Sequence, residues 1–196
     1  MFTSFITLVN PLGVMPVFMS MTTDLEKKEK RKTAIKAIIT SLITLLIFAF
    51  GGEFLFHFFN ISIDSLRIVG GVIFFIMGYE MLNAKLSSLK ISSESVNDYV
   101  DDISVTPLGI PMIAGPGAIT NAIVLMEDAN TFNMKIAFIT GLFITMIVTL
   151  TMLIGASEIT RFLGKTGNKI LMKIMGLIVM VIAVEFFFAG LLPFFE

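Results

Sequence analysis

The sequence predicts an all-α polytopic membrane protein with six transmembrane helices, arranged as two inverted three-helix repeats in which helices 1 and 4 are broken. Three observations support this prediction: the composition, the spacing of the charged residues, and two proline- and glycine-rich clusters inside apolar segments. Of the 196 residues, 56% are hydrophobic and 15% are charged. Soluble domains carry about a quarter charged residues, so this composition indicates a chain that lies in a bilayer.

Charged residues divide the chain into six long apolar runs. These runs cover residues 1–23, 37–52, 68–79, 103–126, 136–157 and 174–184. A helix needs about 20 apolar residues to cross the hydrocarbon layer, so the shorter runs must extend past Lys36, Glu53, Glu80 or Glu185. We expect the first run to be a retained span rather than a signal peptide, because no basic region precedes it.

The basic residues are distributed unevenly between the two sides of the predicted membrane. Twelve of the fourteen lie in the segments that join spans one to two, three to four and five to six, and only Arg67 and Lys135 lie on the other side. The positive-inside rule makes the twelve-residue side cytoplasmic. We therefore expect a multi-pass protein of the cell (plasma) membrane, surrounded by lipid, with both termini outside and no nucleic-acid partner.

Short sequence echoes indicate an internal repeat. The motif PLG occurs at residues 11–13 and 107–109, and RIVGG at 67–71 is echoed by KIMGL at 173–177. The offsets are 96 and 106, close enough to suggest two copies of a three-span unit. Because three is odd, the second copy enters the membrane from the opposite side, as in secondary transporters.

Two pairs of glutamates repeat at an offset of 105 residues. Glu53 and Glu158 fall at the predicted ends of spans two and five, where we expect them to be interfacial. Glu80 and Glu185 fall inside spans three and six. A carboxylate within a span usually faces a cavity or takes up a proton, so these two are candidates for coupling or gating; they are equally consistent with carboxylates that cap span ends at the interface.

The repeat divides the chain into a first three-helix unit at residues 1–84, a cytoplasmic linker at 85–104 and a second, inverted unit at 105–196. The acids of the linker are interpreted as solvated side chains rather than as a cation site. No metal site or cofactor is expected, because the chain has no cysteine and its single histidine, His57, lies between two phenylalanines.

The two proline- and glycine-rich clusters read NPLGVMPVF at residues 10–18 and TPLGIPMIAGPGAIT at 106–120. Proline removes a backbone donor, and irregular backbone survives in the hydrocarbon layer only when it is buried in protein or lines a cavity. We therefore expect both segments to be non-helical and to face each other near the midplane. The candidate substrate-binding residues are Asn10, Pro11, Gly13, Pro16, Thr106, Pro107, Gly109, Pro111, Gly115, Pro116 and Gly117.

A broken helix offers free N–H groups at its new N-terminus and free carbonyls at its new C-terminus. An amino acid zwitterion needs both, with its carboxylate on N–H groups near residues 115–118 and its ammonium on carbonyls or the Asn10 amide oxygen. The GPG at residues 115–117 has no counterpart after Pro16, so the second cluster is expected to supply more backbone contacts. Alternatively, the prolines and glycines only kink helices or allow close packing.

Three motifs together resemble those of the MarC family of six-span membrane proteins, also called UPF0056 or the small neutral amino acid transporter family. They are the two clusters and RIVGGVIFFIMGYEML at residues 67–82, and the resemblance extends over the whole chain. It implies transport of small neutral amino acids such as glycine, alanine and serine. The family often has Asp where this chain has Asn10, so one cation or proton site that the family offers is absent here.

The leading hypothesis is a secondary transporter of small neutral amino acids that works by alternating access and is driven by a proton or sodium gradient. The alternatives are an exporter of drugs or other amphipathic solutes and a channel-like pore. An enzyme is not expected, because the sequence has no paired intramembrane aspartates, no HExxH and no GxSxG with a partner histidine. Small-residue patches also leave a homo-oligomer open.

Overall fold

The structure is a computed structural model that describes residues 1–83 and 95–195, without the side chains at positions 157–165 and 168. The elements are α1 (Phe2–Val9), α2 (Pro11–Met21), α3 (Lys27–Phe59), α4 (Ile63–Leu82), α5 (Val96–Ile103), a kinked segment with π-type hydrogen bonds (Ser104–Ile113), α6 (Pro116–Glu127), α7 (Phe132–Leu191) and a 3-10 turn (Leu192–Phe194). The all-α prediction is confirmed for these residues.

Five segments of the described chain are long and apolar enough to cross a membrane. They are Phe2–Met21, Lys27–Phe59, Ile63–Leu82, Phe132–Ala156, which we call the first arm of α7, and Lys169–Phe194, which we call its second arm. A sixth span is present if Val96–Ile113 and Pro116–Glu127, which meet at 60°, form one broken span. The predicted six-span architecture is thus confirmed as five spans plus one bent pair.

The two arms of α7 lie beside the same part of α1. Phe138 in the first arm packs edge-on against Phe5, with ring centroids 5.5 Å apart. In the second arm, the Phe186 ring and the Leu8 side chain both cover Gly117. A straight helix would separate positions 138 and 186 by about 72 Å, whereas Phe5 and Leu8 are one turn apart. The chain therefore reverses direction between the arms.

Helix α3 extends well beyond the apolar run from which the second span was predicted. Its 33 residues correspond to a length of about 50 Å, and its first turns consist of the basic run that the sequence suggested was a loop. The Glu29 carboxylate accepts the backbone N–H of Glu26 at 2.8 Å, which is one half of a capping box. This local cap starts the helix before the hydrophobic residues begin.

The predicted linker contains a helix, α5, over eight of its twenty residues. Residues 85–94 lie outside the described residues, and α5 follows them. The Tyr99 hydroxyl donates to the Met21 carbonyl at 2.9 Å, and Lys36 forms an ion pair with Asp101. The assignment of residues 85–104 as a linker stays a prediction; within them, α5 buries one apolar face and leaves its acids exposed.

Helix α4 packs along the second arm through glycines that let the two backbones approach closely. A Cβ atom at Gly71 would lie 2.8 Å from the Ala183 carbonyl oxygen, and a Cβ atom at Gly176 would lie 2.8 Å from the Gly78 carbonyl oxygen. An offset of 105 residues maps the first contact onto the second. An inverted repeat predicts such reciprocal contacts; the repeat and its domain boundaries stay predictions.

Other contacts between elements follow the same reciprocal pattern. Helix α1 contacts α6, and α2 contacts the kinked segment. Helix α3 packs against both the kinked segment and α6, whereas α7 packs against both α1 and α2. The two broken spans therefore lie at the centre of the molecule, each enclosed by the long helices of the other half.

Candidate functional site

The first helix break is a single residue, Asn10, between α1 and α2. Its φ of 44° and ψ of 65° are left-handed, a conformation that asparagine tolerates better than most residues. The prediction of a non-helical cluster was wrong for the rest of the motif. Pro11 occupies the first position of α2, where no N–H is needed, and Pro16 lies inside the helix.

The Asn10 side chain folds over the first turn of α2. Its Oδ1 accepts the backbone N–H of Gly13 at 3.2 Å, which makes it an N-cap. A Cβ atom at position 13 would lie 2.6 Å from Asn10 Nδ2. Gly13 is therefore needed because the capping side chain fills the space that a larger residue would occupy.

The second break is the kinked segment, where the expected non-helical backbone is confirmed. Thr106 and Ile110 have extended dihedral angles, with φ values of −133° and −131°. Both residues precede prolines, which disfavour the helical conformation in the residue before them. The peptide bonds to Pro107 and Pro111 are cis.

Helix α3 adds a hydrogen bond to this irregular backbone. The Ala114 N–H donates to the Gly109 carbonyl at 2.8 Å, and the Ser41 hydroxyl, which lies 2.7 Å from the Ala37 carbonyl, also reaches the Gly109 oxygen at 3.1 Å. A Cβ atom at Gly109 would lie 3.1 Å from Thr40 Cγ2, so glycine permits the close approach of α3. In the hydrocarbon layer such a carbonyl would otherwise be costly.

Helix α6 begins at Pro116 after the N-cap residue Gly115, and no side chain caps it. Pro11 and Pro116 each open a half-helix and are 105 residues apart, which matches the offset of the glutamate pairs. Under the predicted repeat, Asn10–Pro11 would correspond to Gly115–Pro116. That correspondence differs from the one that the PLG echo at an offset of 96 suggests, and the expectation that GPG has no counterpart after Pro16 stays a prediction.

A central cavity of about 240 Å³ lies where α1, α2, α4, α6 and the second arm meet. Four residues from the sequence-based candidates line it: Asn10, Gly13, Gly117 and Glu185. Most of the remaining wall is apolar and comes from α1, α4 and the second arm. The structure thus brings the two helix breaks together at one cavity.

The sequence analysis missed most of the wall residues of this cavity. Four pairs of wall residues are related by an offset of 105, namely Thr7 and Met112, Phe74 and Val179, Met77 and Ile182, and Met81 and Phe186. The cavity is therefore lined by matching positions from both predicted halves of the chain. Extending the offset of the Glu80–Glu185 pair to the neighbouring turns would have paired these positions, except Thr7 and Met112, but would not have shown that they line a cavity.

The other predicted site residues shape the backbone without lining the cavity. Pro16 is buried inside α2, Pro116 packs against Gly70 of α4, and Thr106 is exposed. The remaining members of this group are Pro11, Pro107, Gly109, Pro111 and Gly115. Thr120, which the sequence did not single out, lies one turn after Gly117; its hydroxyl is buried and has no partner in the described part of the chain.

Glu80 and Glu185 lie in the helical turns that pack on Gly176 and Gly71, respectively. Glu185 is the one titratable side chain among the described residues that line the central cavity, whereas Glu80 is half-buried and lies outside the wall. The two carboxylates, which are 105 residues apart, thus differ in their access to the cavity: Glu185 lines it and Glu80 does not.

Glu53 and His57 line a separate cavity of about 580 Å³ at the end of α3, together with Glu127 of α6. The side chain of Glu158, the partner of Glu53 in the sequence, lies outside the described side chains. The described residues contain no group of three His, Asp or Glu side chains that could hold a metal ion.

Several apolar spans, a bent pair of helices and a cavity between two helix breaks define an integral membrane protein. The family model described as MarC family integral membrane protein matches residues 1–195. The chain therefore belongs to the MarC family.

Three similar proteins carry the family designation UPF0056. UPF0056 membrane protein PH0760 of Pyrococcus horikoshii is 38% identical over 97% of this chain and 92% of its own length. UPF0056 membrane protein MJ1677 of Methanocaldococcus jannaschii is 34% identical, with coverage of 97% and 93%. UPF0056 membrane protein YvbG of Bacillus subtilis is 35% identical, with coverage of 97% and 92%. No solved structure matches the chain.

Proposed function

We propose that this protein carries a small neutral amino acid across the membrane by alternating access and that the central cavity is its binding site. The main support is that helix ends of opposite polarity meet at one small cavity. The last turn of α1 and the first turn of α6 both line it. A zwitterion has one charged group for each of these ends.

The first turn of α6 offers backbone donors for the substrate carboxylate. Gly117 lines the cavity, and the N-cap Gly115 has no side chain that could occupy the N–H groups of Gly117 and Ala118. A helix N-terminus carries partial positive charge and free N–H groups that favour anions. At α2 the corresponding position is filled by the Asn10 side chain, so α6 is the better carboxylate site.

The last turn of α1 offers acceptors for the substrate ammonium. Thr7, Leu8 and Val9 line the cavity. The carbonyl of Thr7 would ordinarily bond the N–H four residues later, but position 11 is proline and has no N–H. Glu185 also lines the cavity, and its carboxylate adds a negative charge. An ammonium group between these oxygens would be stabilised in surroundings that are otherwise apolar.

The size and chemistry of the cavity favour a small, uncharged side chain. Its volume of about 240 Å³ is below the roughly 300–1,000 Å³ of pockets that hold drug-sized ligands. Apart from Asn10, Thr7 and Glu185, the wall consists of apolar side chains and glycines. Burying a further charge without a partner would be costly. Glycine, alanine and serine fit these limits.

The reciprocal contacts at an offset of 105 support alternating access. If the two halves exchange conformations, a cavity between them opens first to one face and then to the other. Under this proposal the charge distribution places both termini outside the cell membrane, and a proton or sodium gradient drives transport. The transporter needs no cofactor and catalyses no chemical reaction.

Counterflow of labelled glycine, alanine and serine in proteoliposomes, with and without proton or sodium gradients, tests the proposal. The variant Gly117→Leu should abolish counterflow, because even a Cβ atom there would lie 2.6 Å from Phe186 Cζ. Gly51→Leu is the matched control, since a Cβ atom at position 51 has no other atom within 4 Å. A wild-type protein that moves none of these amino acids under any gradient would refute the proposal.

A second candidate function is export of amphipathic solutes, which the three methionines Met77, Met81 and Met112 in the cavity wall favour. Methionine side chains adapt to ligands of different shape. Expression that alters drug susceptibility without affecting amino acid exchange would support this function. A channel-like pore would instead produce single-channel currents, whereas saturable counterflow indicates a carrier.

A further inference from the structure

We propose that Phe74 and Phe186 set the upper size limit of the amino acid that the cavity accepts. This inference rests on the proposed function and identifies the two side chains that decide substrate range within it. Both rings belong to the cavity wall. They come from different helices, α4 and the second arm, and both reach the start of α6.

The ring edges of these phenylalanines lie directly over the glycines of the second break. A Cβ atom at Gly115 would lie 2.6 Å from Phe74 Cζ, and a Cβ atom at Gly117 would lie 2.6 Å from Phe186 Cζ. Real Cβ atoms do not come this close to another heavy atom, so the rings occupy the space that a side chain on α6 would need. In the proposed function the substrate carboxylate binds the N–H groups of Gly117 and Ala118, which belong to the same first turn of α6.

An amino acid bound by its carboxylate at Gly117 projects its own side chain into this restricted space. Hydrogen or a methyl group fits beside the two rings, whereas a branched or aromatic side chain would displace them. Cores packed at this density tolerate added methylenes poorly. A single extra or missing methylene in a hydrophobic pocket changes discrimination by about 10–200-fold, so two rings suffice to limit the substrate range.

The first break has no such aromatic cover. At an offset of 105 the equivalents of Phe74 and Phe186 are Val179 and Met81, which also line the cavity. These side chains are not aromatic, and the α2 N-terminus near them is already occupied by Asn10. The aromatic residues therefore lie on the side of the cavity where the first turn of α6 has no side-chain cap. This is the side of the proposed carboxylate site, where the two rings can restrict the side chain of the substrate.

The test compares Phe186→Ala and Phe74→Ala with the wild-type chain in proteoliposomes. Counterflow and ligand-induced thermal shift are measured for glycine, alanine, valine and leucine at equal concentrations. We expect each variant to raise the leucine-to-glycine ratio by at least about tenfold. Phe188→Ala is the matched control, because Phe188 is on the same helix, is 52% exposed and does not line the cavity; its ratio should not change.

Two outcomes would overturn the inference. One is an unchanged leucine-to-glycine ratio in both alanine variants that still transport glycine. The other outcome applies if the alanine variants fail to fold. In that case Phe186→Met, which copies the residue at position 81, should give an intermediate leucine-to-glycine ratio. A wild-type ratio in Phe186→Met would contradict the proposal. A wild-type chain that moves none of these amino acids would instead refute the transport function, and the size limit with it.

Discussion

Both helix breaks interrupt a membrane span, but they do so with different structural elements. At the first break only Asn10 leaves the helical conformation, and its own side chain caps the helix that follows. At the second break a whole segment between α5 and α6 is kinked, and the following helix starts without a side-chain cap. The first break is thus stabilised by a residue within its own segment, whereas the second also contacts a distant helix, α3.

This difference shows how each half meets the demands of the hydrocarbon layer. Backbone groups there must be satisfied within the protein. Asn10 satisfies a donor three residues away in sequence. The carbonyl of Gly109 accepts one bond from Ala114, five residues away, and a second from Ser41 of α3, which is 68 residues away. The second break therefore combines a local bond with a contact to a distant helix.

The difference also distinguishes the two ends of the central cavity. The Asn10 side chain occupies the start of α2, whereas no side chain caps the start of α6, where we propose that the substrate carboxylate binds. Under the proposed function, the start of α2 is closed by the Asn10 side chain, whereas the start of α6 stays open and binds the ligand. Three substitutions, in order of decreasing effect, test this comparison.

The largest effect is expected at the left-handed residue. Asn10→Leu should destabilise the protein by about 2–4 kcal/mol, because it combines left-handed strain with the loss of an N-cap. Asn10→Gly keeps the conformation without strain and should cost less than about 1 kcal/mol. Chemical unfolding in detergent measures both. Equal costs for the two variants would show that the backbone at position 10 is not strained.

A smaller effect is expected at Gly13. Gly13→Ala should cost about 1–2 kcal/mol, since its Cβ atom would displace the capping side chain of Asn10. In an Asn10→Gly background the same change should become neutral or stabilise by about 0.5–1 kcal/mol, because alanine is the better helix former. A double-mutant cycle measures this coupling. Additive effects would mean that the two side chains do not compete for space.

The smallest effect is expected at the contact that supports the second break. Ser41→Ala should cost about 0.6 kcal/mol, a typical value for a hydrogen bond between membrane helices, because the Gly109 carbonyl keeps its bond from Ala114. Thr44→Ala is the control, since the Thr44 hydroxyl bonds within its own helix. If Ser41→Ala costs no more than Thr44→Ala, α3 does not stabilise the kinked segment through this bond.

The sequence was most informative about properties that depend on composition and short motifs. It predicted the spans, the two breaks and the family, because hydrophobic length and proline chemistry are local. It failed to predict the helical conformation of α5, whose apolar face packs against α3 and the kinked segment and whose Tyr99 bonds to α2. It also paired the two PLG motifs, although Pro11 and Pro116 are the residues that open the two half-helices.

The cavity wall shows the same limit. Asn10, Gly13 and Gly117 were predicted because each is unusual within an apolar helix. Phe74 and Phe186 were not, because a phenylalanine in a membrane helix looks alike whether it faces lipid or a cavity. Only the packing of α4 and the second arm against α6 distinguishes these two from the other phenylalanines.

By itself the sequence determined that this chain lies in a membrane, that two of its spans are broken and that it belongs to the MarC family. Those properties follow from the cost of polar backbone in hydrocarbon and from residues that cannot continue a helix. The tertiary structure decided which break keeps an open helix start and which side chains surround it. Both features depend on how side chains that are distant in sequence pack into the same space, and local sequence patterns do not specify that packing.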